Sequence, residues 1–369
     1  MKQRCTKLLA LLLTLSMLLA LTACAGSGDA NTPAESAATP APVTTPAPTP
    51  TPAVEEPPAL EYPMTLTDMA GHELTLEEPV ETVALTWRMA NDLLLVLGAK
   101  DRMICVGPLP DFDALVAPNW VALSGLAGRG TGPDWEAMAG LDPDIYINGT
   151  NSETLEAGDQ LGIPVLAVSL EDAEETMTAL RLVGKALGLE ERAEELIKYY
   201  NDIMSIPAGY LTGIPESELP TFVLLSGEGE QVGVPAMMQA QMVATGGGVN
   251  AAADVDDPDD LWPAVGIEQV FSWDPDYIFM SSAADKKTAD VLSDPAWADL
   301  TAVKNGNVYD VPSDLHSWES LGLVPCIGAV WSFMKMHPGL YNEAEFDQLV
   351  VDFYKEVYDL DVNREMLGY

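Results

Sequence analysis

Side chains able to do chemistry are sparse in this sequence and do not group as a catalyst would require. It has no Gly-x-Ser-x-Gly elbow, His-Glu-x-x-His pair, Cys-x-x-Cys or Gly-Lys-Ser/Thr phosphate loop. Gly246-Gly247-Gly248 lacks the strand-then-helix setting of a dinucleotide site. The remaining candidates are binding groups. Arg129 stands inside Gly125-Leu126-Ala127-Gly128-Arg129-Gly130-Thr131-Gly132, where backbone N–H groups and a guanidinium can come close to a carboxylate, an amide or an oxyanion. Trp87, Trp262 and Trp318 offer flat apolar walls, and Arg88 follows Trp87 directly. His316, one of three histidines, sits in the polar run His316-Ser317-Trp318-Glu319 and is a candidate ligand for haem iron, with Met89, Met237 or Met238 opposite it.

Two further residues stand out by spacing. Glu136 and Glu268 each precede an Asp-Pro-Asp by six residues, in Trp135-Glu136 to Asp142-Pro143-Asp144 and in Ile267-Glu268 to Asp274-Pro275-Asp276. Proline stops a helix and an early glutamate suits a helix start, so each copy reads as a short helix turning into a strand. Matched copies predict two similar lobes, each presenting one glutamate.

The elements that must position these residues alternate. Short β-branched or aromatic runs recur at Thr82–Leu85, Met103–Val106, Ile145–Ile147, Val165–Val168, Thr221–Leu225, Tyr277–Met280 and Val308–Val311, with helical patterns between several of them. This is the signature of α/β architecture with parallel sheets. Ala173, Met177, Leu180, Val183 and Leu187 mark one helical face, ended by Gly188; Ala193, Leu196, Ile197, Tyr200 and Ile203 mark the next. This second helix, placed at 190–206, is long enough to bridge two lobes, the N-terminal lobe at 61–189 and the C-terminal lobe at 207–369. In open α/β sheets ligands bind beyond the carboxyl ends of the strands. That rule selects the loops at Trp87-Arg88, at 107–109, around Arg129, at 148–150, at Ser226-Gly227-Glu228, at Trp262, at Ser281-Ser282 and at His316–Glu319.

The start of the chain speaks to location. Lys2, Arg4 and Lys7 precede a nearly unbroken apolar run, Leu8 to Leu21, too short to span a bilayer and suited to an export signal. Leu21-Thr22-Ala23-Cys24 then has the form of a lipid-attachment motif: residues 1–23 are expected to be removed and Cys24 diacylated, which gives stable anchoring. Residues 24–60, with nine prolines between 25 and 60, read as an extended tether. Removing Lys2, Arg4 and Lys7 from the 17 basic residues leaves 14 against 57 acidic, net −43. Nucleic acid is a poor partner for such a chain, and flat adhesion to anionic lipid is opposed, leaving membrane contact to the lipid anchor alone. Cys105 and Cys326 are expected to be free, buried thiols.

Several stretches, taken in order, resemble one family. Thr67-Asp68-Met69-Ala70-Gly71-His72-Glu73-Leu74-Thr75-Leu76 is similar to its opening hairpin and Asn91 to Gly98 to its first helix. Leu161-Gly162-Ile163-Pro164-Val165 and Gly247-Gly248-Val249-Asn250 with Ala252 follow the same pattern, as do Asp294-Pro295-Ala296-Trp297 and Lys304-Asn305-Gly306-Asn307-Val308-Tyr309. The chain over 63–369 thus resembles the periplasmic binding proteins for iron complexes, haem and cobalamin. That resemblance implies two Rossmann-like lobes joined by one stiff helix, with a ligand cleft between them. It implies an extracytoplasmic, membrane-tethered solute-binding protein of an ABC importer, without enzymatic activity or a resident cofactor. The implied cargo is an iron–siderophore, haem or corrinoid; the alternatives are an oxyanion such as molybdate or tungstate, or a sensor role. Glu136 and Glu268 match the glutamates with which relatives dock onto a permease dimer, and Trp262 falls in the relatives' Trp-Pro context.

Overall fold

The computed structural model describes residues 61–125, 133–255, 260 and 262–369. The expected export signal, Cys24, the tether and Arg129 lie outside them. A hairpin opens the fold: β1 (Met64–Thr67) pairs antiparallel with β2 (Glu73–Leu76). The first lobe follows as β3 (Val83–Leu85), α1 (Asn91–Val96), β4 (Met103–Val106), α2 (Asp111–Val116), α3 (Trp135–Leu141), β5 (Ile145–Gly149), α4 (Ser152–Leu161), β6 (Val165–Val168) and α5 (Ala173–Leu187). Its four strands form a parallel sheet of order β4-β3-β5-β6.

The chain then crosses through α6 (Glu190–Met204) and α7 (Ile206–Tyr210). The second lobe holds β7 (Thr221–Ser226), β8 (Gln231–Val232), α8 (Met238–Thr245), β9 (Val249–Asn250), α9 (Ile267–Trp273), β10 (Tyr277–Met280), α10 (Thr288–Ser293), α11 (Thr301–Asn305) and β11 (Val308–Asp310). Strands run β11-β10-β7-β8, with β9 also on β7; all pairings are parallel except β7 with β8. Three helices close the chain: α12 (Pro325–Met336), α13 (Glu343–Tyr358) and α14 (Arg364–Leu367).

The apolar strand runs are explained by burial on both faces, as parallel sheets require. In the first sheet Val83, Leu85, Ile145, Ile147, Leu166 and Val168 face one core, while Ala84, Cys105, Tyr146 and Val165 face another. In the second sheet Phe222, Leu224 and Phe279 face the core shared with the first lobe, and Val223, Leu225, Ile278 and Met280 face the opposite one. The shared core is continuous through α5, α6 and α12. The helix α6 packs on α5 of the first lobe and on α12 of the second, burying Ala193, Leu196, Ile197, Tyr200 and Ile203. It is 15 residues long and gives way at Ser205 to α7 with Pro207 in its first turn. The lobes also meet through α13, which packs on α1 of the first lobe, and its Glu356 pairs with Arg192 of the crossing helix α6. Cys105 and Cys326 are both free and buried.

The repeat has a structural counterpart. Both α3 and α9 are seven residues long and end on an aspartate in the left-handed region, Asp142 (φ 49) and Asp274 (φ 40). Two residues on, Asp144 accepts hydrogen bonds from Thr82 N (2.7 Å) and Thr82 Oγ1 (2.9 Å). Asp276 accepts the same pair from Thr221 N and Thr221 Oγ1, both at 2.9 Å. Thr82 and Thr221 stand at the entry to the first strand of their sheets, so Asp-Pro-Asp ties the paired strands together in the same way in both lobes.

Candidate binding cleft between the lobes

Three strand ends converge on one cleft. After β3 the chain brings Arg88, Met89 and Asp92; after β4 it brings Asp111, Phe112 and Asp113; after β11 it brings the loop carrying Ser313, Asp314, His316 and Ser317. They enclose about 340 Å³ between one lobe and the other. This is the place the strand-end rule selects.

The floor of the cleft is an inter-lobe contact. The Phe112 ring stacks on His316 with centroids 3.9 Å apart and planes 11° from parallel. Tyr358 of α13 meets Phe112 edge-on at 5.0 Å. Its hydroxyl donates to Asp92 Oδ1 across the lobes at 2.7 Å. Gly322 lets the 313–322 loop lie against Asp92, since a Cβ there would come within 2.1 Å of Asp92 Oδ2.

Burial controls the charges. Loss of solvation raises Asp92 to about 7; the neighbouring Asp113 adds to this, and the Tyr358 hydrogen bond offsets only part. Asp113, 8% exposed, is raised to about 6 by burial, against the Asn91 hydrogen bond (2.7 Å) and the Arg88 charge. Burial also lowers His316 to about 3, so its ring is neutral at physiological pH; its Nδ1 is buried without a partner among the described residues. Arg88 is exposed and is the one cationic side chain among the described lining residues, against four aspartates: Asp92, Asp111, Asp113 and Asp314.

Of the residues singled out in the sequence, Arg88 and His316 line this cleft, and so does Met89. Trp87 is half-buried with its indole against Gly149, where a Cβ would meet the ring at 3.6 Å; it is not among the lining residues. Trp262 is half-buried, packed on the shared core and likewise absent from the lining. Trp318 is corrected: only 1% exposed, it packs among Trp331, Phe346 and Tyr369 and donates its indole N–H to Tyr354, so it is a core residue and cannot be a cleft wall. Met237 and Met238 are core residues too, at 4% and 2% exposure, which removes them as partners for His316. Glu136 and Glu268 are exposed in the first turns of α3 and α9.

The sequence reading missed Asp92, Phe112 and Asp113. A signal was there: Asp92 stands before the apolar run Leu93-Leu94-Leu95-Val96 of its helix, and Asp111-Phe112-Asp113 follows Pro110 in the loop after a strand. Local pattern reads both as ordinary helix-start acids. Only their burial against the other lobe sets them apart.

The chain matches the periplasmic binding protein family over residues 83–315 and belongs to it. It is accordingly an extracytoplasmic solute-binding protein of the ABC-transporter class, and not an enzyme. Among similar proteins is the molybdate-binding protein MolA of Haemophilus influenzae, 21% identical over 336 residues, 79% of this chain and 90% of that one. The molybdate-bound structure of MolA superposes with a TM-score of 0.70 at 17% identity, covering 81% of this chain and 99% of that one. A periplasmic solute-binding protein from Veillonella parvula gives 0.72 at 21% identity, over 83% and 95%. The Helicobacter pylori CeuE structure with Ni(II) bound gives 0.66 at 19% identity, over 83% and 98%.

Proposed function

We propose that this protein captures a compact metal complex, one that turns hydrogen-bond donors or positive charge outward, and hands it to a permease at the membrane. The observation that carries this reading is the acid-rich cleft: among its described lining residues four aspartates stand against Arg88, with Asp92 raised to about 7 and Asp113 to about 6 by burial. Neighbouring buried carboxylates hold protons more tightly than solvated ones, and a bound cation would displace those protons. About 340 Å³ lies at the low end of the ~300–1,000 Å³ typical of ligand pockets, which favours a small complex over a haem or corrinoid macrocycle. The Ni(II)-bound CeuE neighbour suits such a cargo. The second reading, an oxyanion held by Arg88, is favoured by the likeness to the molybdate-binding MolA over 90% of its length.

The sign of proton linkage separates the two readings. A donor-bearing complex expels protons from Asp92 and Asp113, so its affinity rises from pH 5 to pH 8. An oxyanion draws protons in, so its affinity falls over the same range. Calorimetric titration with hexaamminecobalt(III), nickel–histidine, ferric citrate and molybdate, in buffers of different ionisation enthalpy, measures that sign directly. Proton release on binding a metal complex is expected. Tight binding of molybdate with proton uptake, lost in Arg88→Gln, would overturn the metal-complex reading in favour of the oxyanion.

Membrane attachment through Cys24 and docking through Glu136 and Glu268 belong to the same proposal. The exposed, equivalent positions of the two glutamates at the starts of α3 and α9 support docking; the form of the Leu21–Cys24 motif supports the anchor.

A further inference from the structure

A buried carboxylate lies behind the cleft wall. Glu319, 5% exposed, directs one oxygen, Oε1, at three donors: Ser281 Oγ at 2.6 Å, and Ser282 N and Ser282 Oγ, each at 2.7 Å. Its other oxygen, Oε2, is buried without a partner among the described residues. Ser281 and Ser282 follow β10, and Ser317, which lines the cleft, reaches back to Ser282 Oγ at 2.8 Å.

Counting protons fixes the direction of this chain. A serine hydroxyl has one hydrogen and two lone pairs, and a carboxylate only accepts. The Ser282 hydrogen is committed to Glu319, so Ser282 can only accept from Ser317. The Ser317 hydrogen is thereby used up, and what Ser317 can offer to the cleft is lone pairs alone. Charge-assisted hydrogen bonds to a buried carboxylate are among the stronger ones, so the order Ser317 to Ser282 to Glu319 resists reversal.

We infer that Glu319 is a positioning residue for specificity: through Ser282 it fixes Ser317 as an obligate acceptor in the cleft wall, which selects cargo presenting an N–H or O–H there and disfavours an acceptor-only oxyanion. This deepens the metal-complex reading and rests on it for the class of cargo; the direction of the relay rests on the hydrogen bonds alone.

The relay is tested on the whole protein with two inert probes of opposite polarity, hexaamminecobalt(III), which offers only donors, and molybdate, titrated at 0.15 M salt. Ser317→Ala should weaken hexaamminecobalt(III) roughly three- to tenfold, the worth of one ordinary hydrogen bond, and leave molybdate unchanged or slightly stronger. Glu319→Leu removes the acceptor and frees the Ser282 hydrogen to reverse the chain, so the ratio of the two affinities should move toward molybdate. Melting curves establish that each variant is folded. Neutron diffraction from deuterated wild-type crystals should find the deuteron between Ser317 and Ser282 on Ser317. A deuteron on Ser282, or loss of molybdate binding in Ser317→Ala, overturns the relay whichever cargo is bound. A wild-type protein that ignores every metal complex while its deuteron sits on Ser317 would instead overturn the cargo class and leave the relay standing.

Discussion

At the scale of single residues, Asp92 is the most consequential side chain of the cleft. An ordinary aspartate is ionised above pH 4; burial holds this one to about 7. The native state therefore binds a proton that the unfolded chain has already released, and stability contributed by this group falls as pH rises from about 4 to 7. Asp113, raised to about 6, acts in the same sense. His316, lowered to about 3, acts oppositely: the unfolded chain protonates it first, so its contribution falls as pH drops below about 6.5. Asp92→Asn keeps an acceptor for the Tyr358 hydroxyl and removes the penalty of ionisation. It should raise stability at pH 8 on the order of 2 kcal/mol, roughly 4–8 °C in melting temperature, with little change at pH 4.5. Unfolding followed by circular dichroism at both pH values checks this; an equal shift at both would mean that packing, not charge, is responsible.

At the scale of elements, the wiring of Asp144 to Thr82 and of Asp276 to Thr221 holds the start of a central strand against its neighbour in each sheet. Both carboxylates accept from a backbone N–H and a hydroxyl of one threonine, and Asp144 also accepts from Glu81 N at 2.9 Å. Asp144, held below the usual carboxylate range by these bonds against its partial burial, is ionised in the native state. Asp144→Asn and Asp276→Asn should each lower stability by about 1 kcal/mol, at the modest end for partly exposed hydrogen bonds. Chemical denaturation of both variants gives the comparison. Similar losses are expected because the geometry repeats; a loss confined to one variant would show that the two lobes use the motif differently.

At the scale of the whole molecule, cargo and permease would be handled by different faces. The cleft lies at the carboxyl ends of β3, β4 and β11, whereas Glu136 and Glu268 sit exposed at helix starts and outside the lining of the cleft. Reversing both to Arg should leave cargo affinity within about a factor of two while cellular uptake collapses, since like charges meeting in a docked complex cost several kcal/mol. Single reversals should give intermediate uptake. If the glutamates serve only their helix starts, each change costs roughly 0.3–1 kcal/mol of stability and uptake survives. In the same uptake assay Cys24→Ala should fail by another route, the protein appearing in the soluble fraction; persistence in washed membranes would remove Cys24 as the anchor.

Much of the architecture was legible from the sequence because strands buried on both faces must be apolar throughout and helices must repeat on one face. Met103–Val106, Val165–Val168 and Tyr277–Met280 are strands with the boundaries the runs predict. The α5 pattern ends at Gly188, which adopts φ 68 as the helix cap. The paired Asp-Pro-Asp motifs announced two like lobes, since a local turn signal needs no distant partner. The short strands β8 and β9 escaped notice, being two residues each and held by their pairing to β7 rather than by any run of their own. The site was legible only as a set of loops. Whether a tryptophan is wall or core depends on what other segments cover it, and Trp318 is covered by α12, α13 and the last residues of the chain. Whether an aspartate at a helix start is solvated or buried depends on the opposing lobe: Asp92 meets Tyr358, 266 positions away. The sequence alone determined the periodicities, the turns and the acidic character of the chain, because those are local or compositional. Tertiary structure alone decided which acids lose water and which loops face one another, because desolvation is a property of neighbours that the chain brings together only when it folds.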